Sequence, residues 1–554
     1  MKKLLLAFLL GFSSLGLHAQ NTFIPYNRDY YHLIDRFQIM HSSKENLLQT
    51  TFKPIRRVTI SRFLNNIEGE YEGMSAQDKF NYEFLMNDNW YTSKSKYNEN
   101  PKSWWDLMYD RKSDFYVYQT DDFVLRINPA LTFTGGKDTD EDQILFTNTR
   151  GAEIQGEIDG KIGFYSMLTT TQARFPDYVH EFIRTKRAFP NEGFWKDGEG
   201  NSRTWDFFHA RGYITFNLTK SINIQTGYDK QFIGNGLRSL ILSDFSSPML
   251  FGKITTQLGP FKYTNLFAEL TEDIVFAGQN PGDGKYPKKF MASHRIDVSI
   301  LPNLEIGLFE TVVADSANVN YYNPIIFYRS IEQQQGSPDN TLVGFDFKLN
   351  LKKQYQLYGQ FILDEFLISA LRSGEGDWRN KFGVQLGAKY LNAFNIDNLD
   401  LQAEFNVARP YFYAYERPAL SYSNYRNPMA HPMGANLKEI ALVGRYQPFP
   451  KLYVTGKLIR TEYGEDNGGI NYGGNVLADT DNRTGNTGVF VGQGVATTNT
   501  YLELTGSYML LHNVFLDWKN IIRKKDSEID ARSSNTFISM LSLRWNLPQR
   551  EHEF

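Results

Sequence analysis

In the stretch LDLQAEFNVA, Leu399, Leu401, Ala403, Phe405 and Val407 alternate strictly with Asp400, Gln402, Glu404 and Asn406. A two-residue period puts the two sets on opposite faces of a β-strand, because successive strand side chains point to opposite sides. The pattern recurs in VGFDFKLNL, where Val343, Phe345, Phe347, Leu349 and Leu351 oppose Gly344, Asp346, Lys348 and Asn350. LYVTGKL separates Leu452, Val454 and Leu458 from Tyr453, Thr455 and Lys457, and the same period runs through Ile214–Leu218, Ile222–Tyr228, Leu502–Leu510 and Phe537–Leu547. Such strands are half polar, which explains a chain that is 15% aromatic yet has a mean hydropathy of -0.45.

A soluble sandwich alternates as well, burying one face between two sheets. Connection lengths separate the two cases. From about Asp122 onward the short connections are Asp159-Gly160, Thr219–Ser221, Gly259-Pro260, Leu301–Asn303, Lys352-Lys353, Phe394–Asn398, Gln447–Pro450 and Leu511–Asn513. Between them lie long polar stretches such as Arg174–Trp205, Asp273–Lys289, Arg372–Arg379, Tyr411–Asn436, Tyr463–Thr498 and Arg523–Asn535. Eight short turns and nine long loops join eighteen strands, with Tyr322–Arg329 read as loop rather than strand. Short turns on one side, long loops on the other and an even strand number describe a transmembrane β-barrel of the outer-membrane type. The expected fold class is thus an all-β barrel over residues 113–548.

The first residues fit that location. Lys2 and Lys3 precede an apolar Leu4–Leu17, and Leu17-His18-Ala19 offers a cleavage site between Ala19 and Gln20, so residues 1–19 read as a signal peptide. Beyond it there is no apolar run of about eighteen residues, which excludes a spanning helix. The chain contains no cysteine, hence no disulfide framework and no thiolate metal site. A net charge of -3 with balanced signs gives no footprint for nucleic acid.

Residues 20–112 carry a helical period instead. Tyr30, Leu33, Ile34 and Phe37 share one face, as do Ile60, Phe63, Leu64 and Ile67, and Ser75 with Asp78 resembles a capping box before Phe80, Phe84 and Leu85. Short helices of this kind are marginal alone and must pack against each other or the barrel mouth. Preceding the first strand, they are expected in the periplasm, as a brace closing the barrel floor or a docking module. The sequence ends in PQREHEF; Phe554 resembles a terminal barrel-insertion signal, but residues 549–554 break the strand pattern and form a separate tail.

Catalysis needs a nucleophile, a base and an orienting group brought together. His431 in MAHPMGAN stands beside Pro432 and near Asn436 in a long loop, and no histidine is apparent on the lipid-facing side of a strand, so no enzyme is expected. DTDNRTG fails as a calcium loop because Arg483 and Phe490 occupy positions that need oxygen ligands, and Asp138 to Asp142 reads as a solvated charge run, leaving neither metal nor cofactor. Aromatic rings with Asp, Asn and Arg suit saccharides, and the long loops carry both in ARPYFYAYERP, SYSNYRNP and YYNPIIFYR.

One stretch remains, GNGLRSLILSDFSSP, from Gly234 to Pro248. A dinucleotide loop requires a third glycine where Ser239 stands, and a strand-to-helix setting that alternating strands do not offer. With its context IQTGYDKQFIGNGLRSLILSDFSSP it resembles the Wzi-like capsule-assembly outer-membrane proteins, and YNPIIFYRSIE and AHPMGANLKE resemble the RemB-like, gliding-motility-associated branch of that family in Bacteroidota. The resemblance implies an eighteen-stranded barrel with a periplasmic helical segment. It also implies non-enzymatic handling of surface polysaccharide, amid outer-membrane lipid and lipopolysaccharide and with motility or secretion proteins as partners. The alternatives are a porin-like saccharide channel and a structural subunit of a secretion or motility complex. By strand order Gly234 lies at the extracellular end of the fifth strand. Gly234 and Gly236 are expected to act as hinges turning the chain into the lumen. Arg238, Ser243 and Asp244 then face a plug or glycan site, joined by Tyr328, Arg329, His431 and Asn436.

Overall fold

The computed structural model describes residues 22–43, 47–93, 109–139, 142–197, 203–273, 286–323, 327–336, 338–365, 372 and 374–554. Ala19, Gln20 and the signal segment lie outside the described residues, as does part of the Asp138 to Asp142 run.

The alternating segments close into one antiparallel barrel. Its first wall position, β1, consists of Phe123–Pro129 and Leu131–Asp138, both paired with β2 (Leu145–Ile158). There follow β3 (Ile162–Arg174), β4 (Trp205–Asn217), β5 (Ile222–Asp229), β6 (Met249–Leu258), β7 (Phe261–Thr271) and β8 (Lys288–Leu301). The wall continues with β9 (Leu304–Ala314), β10 (Asn340–Leu351), β11 (Tyr355–Glu365), β12 (Lys381–Tyr390) and β13 (Leu399–Ala408). It ends with β14 (Leu437–Phe449), β15 (Leu452–Glu465), β16 (Val495–Leu511), β17 (Val514–Ser527) and β18 (Ser534–Trp545). β18 pairs back onto β1, with Leu543 opposite Phe133, so no edge is left open. Two short strands, Tyr116–Gln119 and Trp195–Asp197, add to β1 and β4 without entering the cycle, which leaves the eighteen wall positions the turn spacing implies.

Burial decides between barrel and sandwich. On β13 the polar set Asp400, Gln402, Glu404 and Asn406 is buried, while outward-facing Phe405 is 40% exposed. Leu386, Leu442, Leu502, Leu504 and Leu541 are likewise exposed on neighbouring walls. A water-soluble protein would place these sets the other way round. The apolar band suits lipid, and the interior is polar.

The N-terminal residues fold as read. Helices α1 (Arg28–Met40), α2 (Arg57–Asn66) and α3 (Ala76–Asp88) bury Tyr30, Ile34, Phe37, Ile60, Leu64 and Leu85 in a common cluster. Asn27 caps α1 by accepting from the N–H groups of Asp29 and Tyr30. Ser75 Oγ caps α3 at 3.0 Å from Asp78 N, but Asp78 does not return the bond. Its carboxylate takes Arg36 instead, at 2.8 and 2.9 Å, and Asn398 at 3.0 Å. Arg36, Gln49, Gln77 and Asn81 bond Asn392, Pro260, Pro448 and Gln447, all at the short turns. The helices therefore stop the short-turn end of the barrel.

Tyr322–Arg329 is not a strand, in line with the loop reading. Its described part leads into α5 (Tyr328–Gln334), the next helix in chain order after α4 (Asp177–Lys186).

Candidate functional site

The connection between β5 and β6, residues 230–248, leaves the wall and descends through the lumen. Leu237, Leu240, Ile241, Leu242 and Phe245 supply it with an apolar core, all buried. At its deepest point Ile233 and Phe232 form a two-residue antiparallel ladder with Phe52 and Lys53, between α1 and α2. Gly234 N donates to Thr51 O at 2.9 Å. A long loop and the N-terminal segment, arriving from opposite ends of the barrel, thus meet inside it.

The glycines serve close approach rather than hinging, which corrects the sequence expectation. Neither Gly234 nor Gly236 has a positive φ. A Cβ on Gly236 would sit 2.1 Å from Glu404 Oε2, whereas one on Gly234 would meet nothing nearer than 3.2 Å. The space at Gly236 lets Glu404 accept from Leu237 N at 2.8 Å and Arg238 N at 3.0 Å.

Arg238 is the centre of the assembly. Its Nε and Nη2 donate to the two oxygens of Glu439 at 3.0 and 3.2 Å, a bidentate fork. Nη1 donates to Glu553 Oε2 at 3.2 Å and Nη2 to Glu553 O at 2.6 Å. Burial alone would lower the Arg238 guanidinium; Glu439 and Glu553 outweigh it and hold the group above its ordinary value. Burial would raise the Glu553 carboxyl, but Arg28, Lys457 and Arg238 hold it well below the usual carboxylate range. Asp244 pairs with Arg28 at 3.0 Å and is the partly exposed member. Ser243 Oγ donates to Ala430 O and accepts from Phe245 N at 3.2 Å.

His431 is fully buried with Nε2 3.2 Å from Glu439 Oε1, without hydrogen-bond alignment. Asn436 accepts from Gly492 N at 2.7 Å and donates to Gly464 O and Gln493 O at 3.2 and 2.8 Å, clipping two long loops together. Its φ of 58 is one that asparagine tolerates. The structure thus joins Arg238, Ser243 and His431 in one buried network, ties the partly exposed Asp244 to it through Arg28, and leaves Asn436 bonded apart from it to Gly464, Gly492 and Gln493.

Tyr328 and Arg329 do not belong to it. Arg295 and Phe309 face the lumen, so the adjacent His294 and Glu310 face outward, and Tyr328 covers them from outside. The Tyr328 ring stacks on His294 at 4.3 Å, and Glu310 accepts from Tyr328 N and Arg329 N at 2.8 and 2.6 Å. A histidine does therefore lie on the outer face of a strand, contrary to the sequence reading. Among the described residues its contacts are Glu310, Tyr328 and Tyr263, with no serine positioned on it.

The sequence reading also missed the last residues. Segment 549–554 turns back into the lumen instead of trailing from β18. Phe554 packs on Phe182, Tyr178 and Phe245 with ring centroids at 4.6, 5.8 and 5.9 Å. Glu551 meets Lys457 and Lys519 at 3.1 and 3.2 Å, and Glu553 meets Arg28 and Lys457 at 2.8 and 2.9 Å. Tyr411, Phe412 and Tyr413, read as saccharide platforms, are buried in the plug. Among the described residues, the rings left exposed on long loops are Phe194, Tyr322, Phe327 and Phe490.

A family model described as capsule assembly protein Wzi matches residues 163–517. Among solved structures, the chain is similar to Wzi of Escherichia coli, described as a carbohydrate-binding β-barrel involved in group 1 capsule assembly. The identity is 14% and the TM-score 0.55, covering 95% of this chain and 100% of that one. OprD of Pseudomonas aeruginosa is 11% identical with a TM-score of 0.41, over 76% of this chain and 94% of its own. No curated protein matches the sequence.

Proposed function

The chain belongs to the capsule assembly protein Wzi family, and from that membership we propose that it binds and helps assemble capsular polysaccharide at the outer membrane without a catalytic step. The apolar wall sits in lipid and lipopolysaccharide. The short-turn end with α1 to α3 faces the periplasm, and the long loops face outward. The observation that carries this reading, rather than a saccharide channel, is the filled lumen: loop 230–248, segment 549–554 and the N-terminal helices are pinned together by Arg238, Arg28 and Lys457. A barrel of this size would otherwise hold an aqueous path.

Exposed Phe194 and Phe490 on the long loops give flat apolar faces for sugar C–H groups. Purified protein titrated with surface polysaccharide from the source cells is expected to bind it, and Phe490→Ala with Phe194→Ala to weaken binding roughly tenfold. Folded protein that retains no glycan would sink the reading. YNPIIFYRSIE and AHPMGANLKE extend the proposal to surface motility or adhesion, with the periplasmic helices meeting a motility or secretion partner. A deletion strain that keeps its capsule, spreading and adhesion would count against that extension.

A further inference from the structure

Five cations converge inside the barrel from four different elements: Arg28 on α1, Arg238 on loop 230–248, Lys457 on β15, and Lys519 and Arg523 on β17. The scaffold meets them with three carboxylates. Asp244 faces Arg28 at 3.0 Å, Glu439 faces Arg238 at 3.0 Å, and Glu503 lies 3.1 and 3.6 Å from Lys457 and Lys519. The shortfall is made up by Glu551 and Glu553, together with the Phe554 carbonyl that accepts from Arg523 Nε at 3.0 Å. Segment 549–554 thus brings carboxylates and a carbonyl to a site where the five cations outnumber the three scaffold carboxylates, while its own Arg550 pairs apart with Glu192 at 3.0 Å.

The way it is held differs from the rest of the interior. Among the described residues, 547–554 make no backbone–backbone hydrogen bond; the last such bond of the chain is Asn546 N to Asn513 O at 2.9 Å. Side chains, ring contacts and isolated carbonyls carry the attachment, as in a bound ligand. The site also continues beyond the segment. Glu551, His552 and Glu553 line a cavity of about 240 Å³ whose lining also includes Thr134, Thr149, Thr169 and Arg445, with Arg544 held by Asp517 at 2.7 and 3.1 Å. Hydroxyl and guanidinium groups are partners for sugar hydroxyls and uronate carboxylates.

We propose that segment 549–554 is an internal stand-in for a carboxylate-bearing oligosaccharide, and that such a saccharide displaces it from the cationic lumen site. The inference rests on the polysaccharide-binding reading above and adds the acidic class of the ligand and a built-in competitor. A ligand that binds only the segment-out state has its affinity reduced by the fraction of molecules in that state. Weakening the segment must therefore tighten binding.

The experiment compares wild type with Glu551→Gln/Glu553→Gln in detergent, by calorimetric titration with oligogalacturonate and with neutral maltohexaose. The double variant is expected to bind oligogalacturonate roughly tenfold more tightly, with maltohexaose unchanged. Because the chain has no cysteine, Gln549→Cys alone carries a single spin label in an otherwise native background. Label mobility should rise with oligogalacturonate and not with maltohexaose, which tests the proposal even if the double variant does not fold. Unchanged affinity in the variant, an equal gain for the neutral sugar, or a label indifferent to millimolar oligogalacturonate overturns the proposal. If wild type still binds surface polysaccharide in those cases, the broader reading stands and only this site falls. If no glycan binds either protein, the broader reading falls with it.

Discussion

Arg238 joins a wall carboxylate to segment 549–554, so its removal takes the guanidinium from buried Glu439 and leaves Glu553 to Arg28 and Lys457. Replacing it with methionine leaves Glu439 and Glu553 short of their shared partner. The expected loss is about 3–5 kcal/mol of stability, read from urea unfolding in lipid vesicles. A change below about 1 kcal/mol would show that the network is hydrated and weakly coupled. At Gly236, alanine places a methyl 2.1 Å from Glu404 Oε2, while the same change at Gly234 starts from 3.2 Å. Gly236→Ala should cost about 1–3 kcal/mol and Gly234→Ala clearly less; equal effects would contradict the close-approach explanation. Burial holds the His552 imidazole neutral, with Arg550 and Lys519 adding to it, down to about pH 3. Unfolded, it takes up a proton near pH 6.5. Its contribution is intact above that value and is lost as pH falls from about 6.5 to 3, at roughly 1.4 kcal/mol per unit. Between pH 6.5 and 5, above the titration range of an unfolded glutamate, His552→Phe should flatten the slope of stability against pH; an unaltered slope would show that His552 is not the group responsible.

At the scale of elements, the helices were legible because their signals are local. The 3.6-residue stripe of Tyr30, Leu33, Ile34 and Phe37 and the Ser75 cap can be read without knowing the partner surface. What those helices rest on was not legible. Asp78 abandons the capping box for Arg36, because the buried guanidinium needs the carboxylate more than the Ser75 N–H does. Ser75 bonds both Asp78 N and Asn398, so Ser75→Ala should destabilise the closure of the short-turn end by about 1–2 kcal/mol. Hydrogen exchange should locate the loosening in α3, and uniform loosening across the barrel would speak against a local cap. Similarly, the loop aromatics around Tyr411 read equally well as surface rings or as core. Composition cannot separate the two, because the loop direction is set by what the lumen accepts.

For the whole molecule, the filled interior has a direct electrical consequence. In planar bilayers the protein should show no large steady single-channel current under conditions where an open barrel of this size conducts, and such a current would contradict the packed interior around Arg238 and Glu553. Local patterning was enough to specify the wall: eighteen strands, the polarity of their two faces, and which end carries the short turns. Those properties follow from a two-residue period and from turn lengths, both written in neighbouring residues. What fills the barrel was set by contacts that form on closure. Arg238 finds Glu439 at a separation of 201 residues and Glu553 at 315, and every inward-facing charge looks alike in sequence until closure brings particular ones together. Burial then forces each to find a partner, because an unpaired charge in that interior costs more than the order needed to pair it.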